Sequence, residues 1–370
     1  MKITIVNDNK VYCKYIANGK ESLCLIIKCG CINEYLGAYG CAHVLEHMMI
    51  HFFNLEWKKC FDQSTFCLGK TEYDHILLRF DVCKNSVCGI DFALEIINSI
   101  IDGKMISEEL FEMSKSEVVA EYGERESRVE EQNYIVSKLT YNEILSHPVG
   151  NMKDLLNLNI QDIIRFYDII KKAEKAVFFM GDDLQLDRVV IPHTQMCGNK
   201  NKSSYDNRKR NIIEITTNNK HRFFLNNYCK FESSYMERIM LMNIFQARFE
   251  NNYEKAMIYE KTISNKYRYI YLTLSRPENS EKIKEVLLPD IQNKEFDNCK
   301  QIIKDYAEYL IKNSILQNRT SIINSVVRNY LYDDDILLFD KLLDSRMCND
   351  KLNVNRLNKI KIQLVEGELC

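Results

Sequence analysis

CGCINEYLGAYGCAHVLEHMM, residues 29–49, is the stretch on which the fold turns. It ends the short apolar run Ser22 to Cys31 (SLCLIIKCGC), which suits a strand buried on both faces. Gly37 and Gly40 interrupt the chain, and no Gly or Pro follows from Cys41 to Phe53, so a helix is predicted to begin near Gly40. On that helix His43 and His47 project from one face, with Glu46 three residues after the first histidine. Two neutral nitrogen ligands and a carboxylate base are the start of a hydrolytic zinc site. Such a site needs a third protein ligand and an open position for water, whose proton a nearby carboxylate takes. Two incidental histidines on a solvated helix are the ordinary alternative, but Val44, Leu45, Met48 and Met49 make the setting apolar. His51, one turn further, reads as solvated or as a neighbour of a ligand rather than as a ligand.

A third ligand is sought in KSEVVAEYGERE, residues 115–126, where Glu117, Glu121 and Glu124 form one stripe along a predicted helix. Stacked carboxylates repel, so they either line a solvated surface or are offset by a cation. Val118, Val119 and Ala120 imply a partly buried helix and favour the cation, but spacing leaves all three glutamates open.

The order His43-x-x-Glu46-His47 is the inverzincin signature. Its surroundings resemble the insulinase/pitrilysin family of zinc peptidases, which includes mitochondrial processing peptidase. In that family a strand ends in a small residue and an acidic turn, followed by Gly and by the motif helix with Met after it. The resemblance spans about Ile16 to Asp183 and extends to His147-Pro148, Gly150, Leu158 to Phe166, and FFMGD at 178–182.

Several expectations follow from that resemblance. The metal is one Zn2+ per chain, held by His43, His47 and Glu124, the last 77 positions beyond His47. Glu46 is the catalytic base, Glu117, seven residues before Glu124, orients the site, and Glu121 has no counterpart role. Gly69, Lys70 and Thr71 resemble the edge strand that pairs with an extended substrate; Leu68 stands where Asn is usual, and main-chain pairing survives that change. The implied fold is α+β, two related α/β-sandwich domains of antiparallel-rich sheet packed with helices, the second shortened. The implied function is a zinc endopeptidase cleaving peptides or unfolded precursor and leader segments inside a chamber. The family also uses an Arg and a Tyr, seven apart, from a C-terminal domain. Here the equivalent segment is Asn252 to Tyr259: Tyr259 fits, Asn252 replaces the Arg, and Arg248 lies four residues away. An incomplete substrate clamp implies a related peptidase-like subunit as partner, in a heterodimer or else a homodimer. The alternative is a non-catalytic structural or substrate-guiding subunit, although such subunits usually lack the motif.

Composition sets the frame. The 370 residues are 46% apolar and 28% charged with only 4 Pro and 12 Gly, a balance that suits a helix-rich globular protein of two domains. Lys and Arg number 50 against 52 Asp and Glu, and a net charge of -2 provides no field for nucleic acid or an anionic membrane. No apolar window is long enough for a membrane span, and Asn7 and Asp8 interrupt what a leader would need, so a cytoplasmic protein is expected. Nine of the 14 cysteines lie between Cys13 and Cys88 and are expected to be reduced and buried; Cys29 and Cys31 have ligand-like spacing but strand-like flanks.

Further elements are predicted as strands at 75–82 and 176–180 and helices at 90–101, 107–145 and 159–170. The composition then shifts to VVIPHTQMCGNKNKSSYDNRKRN, which sets a catalytic domain at 1–186, a linker at 187–210 and a second domain at 211–370. In the latter, strands are predicted at 212–216, 222–226 and 267–274 and a helix at 235–250, with no clear sequence repeat between the halves.

Overall fold

The computed structural model describes residues 2–6, 9–15, 21–61, 66–82, 89–140, 142, 144, 147–181, 212–217, 220–226, 235–251, 256–264, 267–274, 279–314, 330–331 and 353–366. The chain divides into two compact units, Met1–Lys200 and Asn201–Cys370. The expected linker at 187–210 and Asn252 lie outside the described residues. Both units are α+β, as the sequence implied.

The first unit runs β1 (Lys2–Val6), β2 (Asn9–Tyr15), β3 (Glu21–Ile27), α1 (Cys41–Cys60), β4 (Phe66–Thr71), β5 (Ile76–Val82), α2 (Gly89–Ile101), α3 (Glu108–Leu139), α4 (Met152–Asn157), α5 (Ile160–Lys172) and β6 (Lys175–Gly181). Its six strands lie in the order β1-β2-β6-β3-β5-β4. All pairs are antiparallel except β2 with β6. Alternation along the strands sends Leu23, Leu25, Ile27, Ile76, Leu78, Phe80, Val177 and Phe179 into one core with the helices. The intervening Cys24, Ile26, Leu77 and Phe178 are buried too, which explains why the central strands read as unbroken apolar runs.

Glu34 fixes where α1 starts. Its Oε1 accepts the backbone N–H of Gly40 at 3.0 Å and of Ala42 at 2.7 Å, satisfying amides that the first turn leaves without partners and placing negative charge at the positive end of the helix. Gly40 sits at φ +111°, and a Cβ there would meet Leu155 Cδ2 at 2.4 Å. The helix continues beyond Phe53 to Cys60 because Phe53 and Trp57 stack in sequence between Phe80 of β5 and Phe61. β3, by contrast, stops at Ile27, four residues before the predicted end. Cys31–Asn33 form a 3-10 turn, and the Asn33 side chain accepts the N–H of Gly30. α3 is opened by Ser107, whose side chain accepts the N–H of Leu110, and it ends at Leu139.

The second unit contains β7 (Ile212–Thr217), β8 (Lys220–Asn226), α6 (Tyr235–Glu250), β9 (Ala256–Ser264), β10 (Tyr267–Leu274), α7 (Ser280–Leu287), α8 (Asn293–Ser314) and α9 (Val354–Glu366). Its four strands are antiparallel in the order β7-β8-β10-β9, and its core joins Phe223, Leu225, Ile270 and Leu272 to Met240, Phe245 and Leu357. β9 contains the second half, Ala256 to Tyr259, of the segment expected to carry the substrate clamp. Among the described residues no helix is long and apolar enough to cross a membrane.

Candidate metal centre

α1 and α3 pack against each other in antiparallel register, and the site forms along their seam. His43, His47 and His51 repeat at intervals of four on α1, and Glu117 and Glu121 repeat at the same interval on α3. His43 Nε2 and His47 Nε2 lie 3.5 and 3.6 Å from the same oxygen, Glu121 Oε2. Ligand atoms around a tetrahedral zinc, with bonds near 2.0–2.1 Å, stand roughly 3.4 Å apart. Two imidazole nitrogens and one carboxylate oxygen at these separations fit such an ion. The other oxygen of Glu121 pairs with Arg125.

Glu121, rather than the expected Glu124, is the glutamate that joins His43 and His47 in this group. Val118 marks the buried stripe of α3; at 100° per residue Glu121 lies roughly 60° from it and Glu124 roughly 120°. In the antiparallel register that pairs Glu117 with His47 and Glu121 with His43, Glu124 comes level with Gly40, beyond the first turn of α1. Glu124 is exposed and belongs to neither cluster of potential ligands among the described residues.

Glu117 supports the site from the solvent side. His47 Nδ1 donates to Glu117 Oε2 at 2.9 Å, which leaves the Nε2 lone pair of His47 facing Glu121. Burial alone would raise the Glu117 carboxyl, but hydrogen bonds from His47 and His51 outweigh it and hold the carboxyl below its ordinary range. Burial, followed by the charges of His47, Arg125 and His147, drives His43 down to about 3 against a smaller opposing effect from the Val149 backbone, so the ring is a neutral donor.

Glu46 is 3% exposed and stands 3.7 Å from His43 Nε2. Burial and the nearby Glu121 raise its carboxyl to about 8, with Thr71 opposing through hydrogen bonds. One of those is the Thr71 hydroxyl donating to Glu46 Oε2 at 3.1 Å. Thr71 belongs to β4, which among the described residues is an edge strand paired only with β5. Gly69 on the same strand leaves room for the carboxylate: a Cβ there would fall 1.8 Å from Glu46 Oε1. The structure thus brings Gly69, Thr71, Glu46, His43, His47 and Glu117 together; Lys70 points away from Glu46 by the alternation of the strand.

The sequence reading assigned no role to Glu121 and missed the contact of Thr71 with Glu46. The four-residue interval from Glu117 to Glu121, matching the interval of the histidines, was the signal for the former. The clamp residues fall in the second unit. Tyr259, on β9, is half-exposed with its ring edge-on to Tyr271 at 4.6 Å. Arg248 is committed elsewhere, to Glu295 at 2.8 and 3.0 Å and to the carbonyls of Leu287, Pro289 and Asp290. It is no substitute for the missing arginine.

Known proteins share this architecture. No family model matches the chain. Over 186 residues it is 25% identical to the zinc protease PqqE of Helicobacter pylori, an alignment covering 45% of this chain and 38% of that protein. Its fold matches the periplasmic protease PqqL of Escherichia coli at a TM-score of 0.70, with 13% identity, over 98% of this chain and 46% of that one. It also matches an M16 peptidase inactive domain from Pseudomonas fluorescens at a TM-score of 0.66, with 10% identity, over 100% and 95% of the two chains. The chain therefore spans about half the length of PqqL. Its fold is that of the M16 peptidases, and it carries the His43-x-x-Glu46-His47 motif.

Proposed function

We propose that the first unit is a zinc-dependent endopeptidase domain in which His43, His47 and Glu121 hold one ion and Glu46 moves the proton. The observation that carries this reading is the convergence of His43 Nε2 and His47 Nε2 on Glu121 Oε2, with the Glu46 carboxylate 3.7 Å from His43 Nε2. A zinc ion held by these residues would supply an acidified water and polarise a scissile carbonyl. Glu46, held by Thr71, is placed to take up a proton beside the two histidines and to deliver one to a leaving amine. The free edge of β4 at Gly69, Lys70 and Thr71 holds an extended peptide by its main chain, which suits peptides and unfolded precursor or leader segments better than folded proteins. Cys24, Cys29 and Cys41 are buried thiols outside any disulfide, which supports a reducing, cytoplasmic setting.

The second reading, a non-catalytic or substrate-guiding subunit, is favoured by one observation: Asn252 stands at the arginine position, and Arg248 is bound to Glu295. Metal content and three variants separate the two. Glu46→Gln is expected to keep zinc and lose peptide hydrolysis by about 10² to 10⁴-fold, since an amide cannot accept the proton. Glu121→Gln is expected to weaken zinc binding at least about tenfold while Glu124→Gln leaves it unchanged; the reverse result returns the third ligand to Glu124. A wild-type chain that takes up no zinc supports the scaffold.

A further inference from the structure

The third histidine of α1 has no part in the zinc site just described, yet it is not idle. His51 Nε2 donates to Glu117 Oε2 at 2.7 Å, and His47 Nδ1 donates to the same oxygen at 2.9 Å. One ligand atom from each of His47, His51 and Glu117 lies within 4.8 Å of the others, as in the group His43, His47 and Glu121. Three histidines at helical intervals against two glutamates at the same interval make two neighbouring clusters that share His47.

We propose that His51 and Glu117, at the Nδ1 edge of His47, form a second divalent-cation site through which excess zinc inhibits the protein. The inference rests on the reading of His43, His47 and Glu121 as the first site. The donor set, imidazole with carboxylate, suits zinc and its transition-metal neighbours rather than calcium or magnesium. The cluster faces solvent, with the Glu117 side chain 44% exposed and that of His51 23%, so water completes the coordination of an ion held by few protein atoms. On binding, His51 changes tautomer, losing its proton from Nε2 to solvent and gaining one from solvent on Nδ1, and the ion takes the Nε2 proton's place against Glu117. His47 keeps the proton on Nδ1 while its Nε2 serves the first site, so the second cluster offers only two ligands at once and is the weaker. Occupation draws the Glu117 carboxylate away from His47 Nδ1–H. The first site then loses the hydrogen bond that orients one of its ligands, a loss that elsewhere weakens metal binding or activity by about 10 to 100-fold.

Equilibrium dialysis of the metal-free full chain against zinc, read by metal content, tests this directly. Wild type is expected to take up two ions, one tightly and one more weakly, and His51→Ala to retain only the tight one. Zinc in excess is expected to slow peptide hydrolysis by wild type, with half-inhibition shifted upward at least about tenfold in His51→Ala. A single ion in wild type that is lost in His43→Ala but retained in His51→Ala overturns the second site and leaves the first standing. A second ion that survives His51→Ala also overturns it. An ion lost in His51→Ala but retained in His43→Ala supports the His51 site while removing the proposed catalytic one.

Discussion

Gly69 is a residue whose absent side chain matters to the chemistry. A methyl group there would fall 1.8 Å from Glu46 Oε1 and 2.5 Å from its Cδ, so the carboxylate must turn away. Gly69→Ala is expected to lower peptide hydrolysis by about 10²-fold with zinc content unchanged, because misplacing a proton-transfer group by about an ångström costs that much; turnover at the wild-type rate would show that the position of Glu46 is not critical. At this scale the sequence was legible where one helix supplies all the spacing. His43, Glu46 and His47 fall on one face by periodicity alone. Which glutamate of α3 faces the histidines was not, because a count of 77 residues runs through other strands and helices, whereas the choice between Glu121 and Glu124 depends on how α3 is rotated against α1. That rotation follows from Val118 and its neighbours entering the core.

Lys175, at the start of β6, shows what holds the ends of elements together. Its Nζ donates to the carbonyls of Ile170, Lys171 and Ala173, closing the C-terminus of α5 where carbonyls lack helical partners. Burial lowers its pKa to about 8, with Cys29 opposing. The folded pKa thus lies below the unfolded one, so between about pH 8 and 10.5 the unfolded chain binds more protons and this residue adds stability as pH rises. Urea unfolding at pH 7.5 and 10 is expected to show wild type gaining up to about 3 kcal/mol over Lys175→Met across that window; parallel shifts in the two proteins would disprove it. Among the elements, α2, α5 and β10 were readable because their apolar periodicity is strong. β1, β2 and β9 were not, since KITIV, NKVYCKY and AMIYEKTIS mix charge and apolar residues and owe their state to the strands beside them.

At the scale of the whole molecule, the proposed function gives the chain a full set of candidate metal ligands but an incomplete substrate clamp, with Arg248 held by Glu295 and four backbone carbonyls. The purified chain is therefore expected to cleave peptides weakly alone and strongly with a related subunit, or to gain specific activity with concentration if it pairs with itself. Full turnover by a monomer, unaffected by dilution or by Tyr259→Phe, would refute this. The open edge of β4 has a consequence for the products. Phe66, Leu68 and Lys70 face away from α1 while Cys67, Gly69 and Thr71 face it, so a peptide added to the strand repeats its pairing every second residue. A guest sliding by one residue inverts all its side chains; sliding by two restores them. Cuts in a peptide of repeating sequence are thus expected to fall at even intervals, giving a mass ladder with dipeptide steps.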